Sequence, residues 1–322
     1  VKIVIAGTFP PGAIELFLEL LPQDWHIDVI TNEANLRKRT DIEVLITRAF
    51  QITEEIILHN PNLKFIQKWG TGLNAVDVET AGRRGIPVCN VPGANAYAVS
   101  ELAVLHMLAV YRNLLYHNRK LVAGVWTKSD RIEDTYCLNK KTVGLIGGGN
   151  IGRLVAQKVR AFGATVQYYD IYRLSPALEE ECEMCYVPLE ELLCSSDVVS
   201  LHIPLNDQTK NFIDYDKLKR MKPTSILINT SRGGLINEND LLQALDENLI
   251  LGAGLDCLCH EKDSLDPKDP ILHHDRLTLT PHIGGTSNDL LGEMVPRMAA
   301  NAIRFVRGEE PKSIANREYL IH

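Results

Sequence analysis

Three side chains in the second half of the chain could together act on a hydroxyl or a carbonyl. Arg232 stands in Ile228-Asn229-Thr230-Ser231-Arg232-Gly233-Gly234, Glu261 follows Gly252-Ala253-Gly254-Leu255-Asp256, and His282 follows Thr280-Pro281. A guanidinium offers a carboxylate a rigid bidentate fork and polarises an adjacent oxygen. An imidazole gives and takes a proton near neutral pH. A glutamate beside it stabilises the imidazolium and fixes the ring. Each of the three, taken alone, reads as a structural residue. Their place gives them weight: each lies beyond the carboxyl end of an expected parallel strand, the edge at which open α/β sheets bind ligands. His260, next to Glu261, is a rival for the acid–base role and reads as a loop histidine.

Short apolar runs supply those strands. Runs at 2–6, 26–30, 44–47, 65–68 and 87–90 alternate with helix-like stretches at 12–21, 53–59 and 77–84. A second set at 142–146, 165–169, 198–203, 225–229, 252–255 and 277–280 alternates with helices at 151–162, 189–194 and 238–248. This βαβ alternation implies parallel sheets covered on both faces. Between the sets a long helix is expected, N-capped by Ser100, with Glu101 at the positive end of its dipole and apolar spacing through Leu121. A last helix at 288–307 is expected to pack back on the first set. The expected fold class is α/β with two doubly wound parallel-sheet domains. A flavodoxin-like domain takes residues 1–98 plus 288–322 and is discontinuous; a Rossmann domain takes 99–287.

The run Thr142-Val143-Gly144-Leu145-Ile146 leads straight into Gly147-Gly148-Gly149-Asn150-Ile151-Gly152. Gly147 permits a tight turn, Gly149 lets backbone approach a pyrophosphate, and Gly152 lets helix and strand pack closely. Asn150 and Ile151 open the helix whose free N–H groups and dipole attract phosphate. A GxGxxG alone says little, but this one has a strand before it, a helix after it and a second strand ending in Asp170, close to the usual distance of about 20 residues. The Asp170 carboxylate would accept the adenosine ribose hydroxyls and repel a 2′-phosphate, which favours NAD over NADP. Arg173, three residues on, could in principle attract such a phosphate.

Composition narrows the partners. The 322 residues carry a net charge of −7, so there is no cationic excess to neutralise nucleic acid or an anionic membrane. The basic run Arg37-Lys38-Arg39 reads as a solvated helix face. Val1-Lys2-Ile3-Val4-Ile5-Ala6-Gly7 reads as a strand and turn, not as a signal peptide, and no apolar run reaches the roughly 18 residues of a membrane span. Seven scattered cysteines make no disulfide framework. Cys182-Glu183-Met184-Cys185 is a lone CxxC with no second pair at finger spacing, so no metal is expected there or elsewhere. Cytoplasmic residence with reduced thiols is the expectation.

With these residues in view the chain resembles the D-isomer-specific 2-hydroxyacid dehydrogenases over essentially its whole length. The resemblance is carried by Gly70-Thr71-Gly72-Leu73-Asn74-Ala75-Val76-Asp77, Val91-Pro92-Gly93-Ala94-Asn95-Ala96-Tyr97-Ala98-Val99-Ser100-Glu101, the glycine fingerprint, Leu201-His202-Ile203-Pro204-Leu205, the Arg232 segment and Pro281-His282-Ile283-Gly284-Gly285. It implies hydride transfer between NAD and a small D-2-hydroxy acid or its 2-oxo acid. It also implies a homodimer whose substrate-binding and coenzyme domains close on a hinge. Arg232 would bind the substrate carboxylate and oxo group, and His282 would move the proton with Glu261 as its partner. Thr71 and Gly72 would offer N–H groups to the carboxylate. Ile203 and Pro204 would pack near the adenine, Asp256 would bond the nicotinamide carboxamide, and Thr230 would meet the coenzyme through its backbone.

The sequence departs from the family in one loop. Asp256-Cys257-Leu258-Cys259-His260-Glu261-Lys262 stands where Val-Phe usually follows the aspartate and Pro the glutamate. Arg48 and Lys68, each near the end of a first-domain strand, would meet a second anionic group on the substrate. That keeps 3-phosphoglycerate beside glyoxylate and hydroxypyruvate as candidates, and no further regulatory domain is expected. An NAD-sensing corepressor of the same family is the alternative from another class. Formate oxidation is disfavoured, because that branch is expected to carry Gln at the place of Glu261.

Overall fold

The structure, a computed structural model, describes residues 1–261 and 265–320; Lys262 therefore lies outside the described residues. The chain divides into two compact units, Val1–Asn95 with Thr286–His322, and Ala96–Gly285.

The first unit is built on five strands: β1 (Lys2–Gly7), β2 (His26–Ile30), β3 (Val44–Arg48), β4 (Phe65–Lys68) and β5 (Val88–Cys89). They pair in the order β2-β1-β3-β4-β5, all parallel. Central strands of such a sheet are apolar on both faces. Accordingly Ile3 and Ile5 of β1 join one apolar cluster with Phe17, Met294 and Met298, while Val4 and Ala6 join the other with Leu36, Ile56 and Ala81. The first cluster is closed by helices Ala13–Leu20 and Leu290–Val306, so the C-terminal helix belongs to this unit. Buried Asn316 anchors the segment beyond it, accepting from Val88 N at 2.8 Å and donating to Ile86 O at 3.0 Å. The basic run around residue 38 is ion-paired: Arg37 binds Glu33, and Arg39 binds Asp28 and Asp41.

The second unit carries seven strands: β6 (Thr142–Ile146), β7 (Thr165–Tyr169), β8 (Cys185–Tyr186), β9 (Val198–Leu201), β10 (Ile226–Asn229), β11 (Gly252–Leu255) and β12 (Leu277–Leu279). Their order is β12-β11-β10-β9-β6-β7-β8, again parallel throughout. The direction of winding reverses between β6 and β9, which opens a crevice at their carboxyl ends. The fingerprint follows β6 and the His202 segment follows β9. Arg232, Glu261 and His282 come after β10, β11 and β12 on the same edge.

Two sequence expectations need correction. The long helix starts earlier, at Ala96, and runs as Ala96–Tyr111 followed by Leu114–Val122, bent by 64°. Asn113 makes the break in a left-handed conformation, φ 48°, which asparagine tolerates better than most residues. Ser100 is not the N-cap. It is buried inside the helix and satisfies its hydroxyl on Tyr97 O at 2.6 Å, the back-bonding that lets serine sit in a helix interior. The edge strand β8 was not anticipated, because two residues leave no readable period. No single helix among the described residues is long and apolar enough to cross a membrane.

Candidate active site and coenzyme cradle

The loop after β12 is held by one carboxylate. Asp256, just past β11 and 1% exposed, accepts Thr280 Oγ1 (2.6 Å) and Ile283 N (2.9 Å) on Oδ1, and Gly284 N (2.8 Å) on Oδ2. Its carbonyl accepts His282 N at 2.7 Å. These bonds hold His282 at φ 53°, a left-handed conformation that costs a residue with a Cβ on the order of 1–3 kcal/mol. The result is a fixed backbone from which the ring projects. His282 Nδ1 lies 2.8 Å from Glu261 Oε2, with both side chains a little over two-fifths exposed. Nε2 is left for a ligand. An imidazole that shares Nδ1–H with a carboxylate can exchange a proton through Nε2.

Arg232 follows β10 on a loop tied by buried Asn229, whose Nδ2 donates to Arg232 O at 2.8 Å and whose Oδ1 accepts Ser231 N at 3.0 Å. The half-buried guanidinium touches Ser231 O through Nη1 (2.6 Å) and has other N–H groups for a carboxylate. Gly233 is obligatory here: a Cβ would stand 2.0 Å from the backbone carbon of Leu258. The Arg232 loop and the 256–261 loop are thus pressed together. Cys257 Sγ contacts Ser231 O at 3.3 Å. Burial first, then the carboxylates of Asp256 and Glu261, push its thiol well up, with Arg232 opposing. It stays protonated and is no nucleophile. His260 is exposed on the same loop.

The turn after β6 has the shape of a dinucleotide cradle. Gly147 has φ 110°, and a Cβ there would lie 2.5 Å from His202 O; one on Gly152 would lie 2.2 Å from Gly147 O. A Cβ on Gly149 would meet nothing within 4 Å, so this is the point where a diphosphate can approach the chain. Helix Asn150–Ala161 has no side-chain cap, and Arg153 N is the first to bond back, to Gly149 O. The N–H groups of Asn150, Ile151 and Gly152 remain for an anion. Ile203 packs against the Gly147 turn, with exposed Pro204 next to it. Thr230 is buried, and its Oγ1 has no partner among the described residues.

In the first unit, Arg48 ends β3 and Lys68 ends β4. Arg48 Nη1 donates to Thr8 O, and its guanidinium lies 5.8 Å from the Trp69 ring centroid. Lys68 Nζ donates to Trp69 O at 2.8 Å. Exposed Thr71 accepts Asn90 Nδ2 on its carbonyl at 2.8 Å, and half-buried Gly72 follows it.

A family model for the D-isomer specific 2-hydroxyacid dehydrogenase NAD-binding domain matches residues 104–284. The chain belongs to that family. The glyoxylate reductase of Korarchaeum cryptofilum is 34% identical over 310 residues, covering 94% of this chain and 92% of its own. That of Thermococcus litoralis is 36% identical over 291 residues, covering 88% and 87%. A solved glyoxylate reductase from Paecilomyes thermophila superposes with TM-score 0.85 at 26% identity, covering 98% of each chain. This dehydrogenase is an NAD-dependent oxidoreductase, and relatives named as reductases do not favour the corepressor reading.

Asp170 follows β7, with Oδ2 accepting Gly148 N at 2.8 Å and Oδ1 accepting Tyr172 N at 3.1 Å. Each oxygen keeps a lone pair for a ribose hydroxyl. Arg173 is committed elsewhere: Nε and Nη2 grip Glu179 at 2.8 and 3.0 Å. Arg173 and the Tyr168 hydroxyl hold the Glu179 carboxyl down to about 2. Sequence reasoning also passed over His106 and Thr280. His106 Nε2 meets Thr280 Oγ1 at 2.9 Å, extending the Asp256 network into the helix Ala96–Tyr111. Burial pushes its imidazole down, with Asp256 opposing; because the Thr280 hydroxyl donates to Asp256, the ring nitrogen is the one that donates to Thr280. Its helical position resembled an ordinary core residue.

Asp170→Ala should weaken NADH binding and narrow the preference over NADPH, and Glu179→Gln, by freeing Arg173, should narrow it from the other side. Fluorescence titration with both coenzymes measures this. An unchanged ratio in both variants would place the ribose away from Asp170.

Proposed function

We propose that this dehydrogenase reduces a small 2-oxo acid bearing one carboxylate, glyoxylate first among them, with Arg232, Glu261 and His282 as its working residues. The observation that carries the reading is the Glu261–His282 pair at 2.8 Å, with Nε2 of the ring left unbonded to Glu261. When bound at the Gly147–Gly152 cradle, NADH supplies the hydride that goes to the carbonyl carbon. Arg232 holds the carboxylate and polarises the oxo oxygen. His282, as imidazolium, delivers the proton from Nε2 to that oxygen, and Glu261 stabilises its charge. Oxidation runs the same transfers backwards. Asp256 accepts three protein donors and keeps room for one more, consistent with a carboxamide N–H. Within the first unit, Thr71 and Gly72 are proposed to present N–H groups to a carboxylate. The names of the relatives and the bonds of Arg48 and Lys68 to backbone carbonyls support a substrate without a second anion.

A homodimer is proposed on the apolar surface of the second unit. Val122, Trp126 and Ile132 are 81%, 79% and 70% exposed, with Leu114, Leu121 and Val125 exposed alongside in sequence, more than a monomer usually leaves in one stretch. Cytoplasmic residence, to be checked by cell fractionation, is proposed on seven free cysteines.

Coupled oxidation of NADH should give a higher kcat/KM for glyoxylate than for a phosphorylated 2-oxo acid. The opposite preference, lost on combining Arg48→Ala with Lys68→Ala, would replace this reading with one that includes a second anion. Arg232→Ala should cost roughly 3–4 kcal/mol of transition-state stabilisation, the size of a lost preorganised donor, with NADH binding kept. Near-normal turnover would remove Arg232 from the site.

His282 must be charged for reduction and neutral for oxidation, so kcat/KM in the two directions should depend on pH in opposite senses. Glu261→Gln should lower kcat/KM in both directions with NADH binding kept, and near-normal turnover would remove Glu261 from the pair.

Trp126→Glu with Val122→Glu should shift the mass seen by light scattering from dimer to monomer. A wild-type chain that is already monomeric would end the dimer proposal.

A further inference from the structure

Cys257 has no task in the reaction proposed above, yet it borders the groups that do. Its Sγ, a carboxylate oxygen of Glu261 and a ring nitrogen of His282 all lie within 4.8 Å of one another. The thiol is anchored, being buried and in contact with Ser231 O, while Glu261 and His282 are partly exposed and can adjust. Thiolate, imidazole and carboxylate together form a donor set that suits zinc. With metal–ligand bonds of about 2.0–2.3 Å, tetrahedral geometry needs donors about 3.4 Å apart. The Glu261–His282 pair must therefore open slightly, and both side chains must close toward the anchored sulfur, which stands within 4.8 Å of each. Three protein donors leave a fourth position for water, the pattern of an open zinc site.

We propose that Cys257, Glu261 and His282 form a binding site for a thiophilic divalent cation, Zn2+ being the type, and that filling it switches the dehydrogenase off. The Cys257 thiol releases its proton to solvent as the sulfur–metal bond forms. Glu261 turns an oxygen from His282 to the cation. His282 shifts to the tautomer that carries its one proton on Nε2, Nδ1 gives its lone pair to the metal, and the ring cannot become the imidazolium that reduction needs. A hard cation such as Mg2+ gains little from sulfur and nitrogen donors and should leave the site alone.

The binding half of the proposal stands apart from the functional reading; only the inhibition rests on it. The full-length chain titrated with Co2+ should develop a thiolate-to-metal charge-transfer band at one equivalent. Cys257→Val should show none, and Cys257→Ser should bind more weakly without the band. Zn2+ held at buffered concentrations should suppress NADH oxidation by wild type, with recovery on adding EDTA. The half-inhibiting concentration, judged against each variant's own metal-free rate, should rise at least ten-fold in Cys257→Val and Cys257→Ser. Absence of the band in wild type would overturn the site. Equal zinc sensitivity in wild type and both variants would overturn its role in inhibition, whereas a band without any turnover of 2-oxo acids would count against the proposed function instead.

Discussion

The loop that carries His282 hangs on the buried carboxylate of Asp256. It is an acceptor surrounded by donors, and the donors come from a loop more than twenty residues away. Thr280 Oγ1, Ile283 N and Gly284 N converge on its two oxygens, and its own carbonyl takes His282 N. Such charge-assisted bonds are about twice as strong as neutral ones. Together they outweigh the backbone strain at His282 and fix where its side chain starts. Glu261 then sets the direction of the ring through Nδ1.

The neighbouring loops are locked by close approach. Gly233 against Leu258 and Gly147 against His202 O are contacts that a Cβ would forbid. The glycines therefore set how near the Arg232 loop comes to the Cys257 loop, and how near the β6 turn comes to the end of β9. A parallel sheet makes this economical. All strands end on one edge, so every functional loop starts from a rigid, buried support and needs few residues to reach its partners. The same closeness brings a cysteine into reach of the acid–base pair, where a soft cation finds three unlike donors.

Charged side chains in the two units differ in what they leave uncommitted. In the second unit Arg232 keeps N–H groups uncommitted by its bond to Ser231 O, and Asp170 keeps lone pairs. In the first unit Arg48 and Lys68 donate to backbone carbonyls at the sheet edge. Arg173, a cation that from its position alone could serve a phosphate, is held instead by Glu179. A cation's sign is therefore a poor guide to its task until its partners are known.

The longer strands, the glycine turn after β6 and the places of Arg232, Glu261 and His282 just past strand ends were legible because their signals are local. Apolar runs of strand length, a strand followed at once by GxGxxG, and polar residues just past strand ends all arise within a few residues of chain. The bend at Asn113, the helical place of Ser100, the two-residue strand β8, and the links from His106 through Thr280 to Asp256 were not legible. The commitment of Arg173 to Glu179 and the nearness of Cys257 to Glu261 and His282 were equally hidden. Each depends on which side chain a folded neighbour brings within bonding distance, and in most of them that neighbour is remote in sequence. The sequence by itself determined which residues could do the chemistry, because residue type and local period are written along the chain. Only the tertiary structure decided which polar groups stay available, because a hydrogen bond already made to a distant partner removes a donor or acceptor that the sequence still appears to offer.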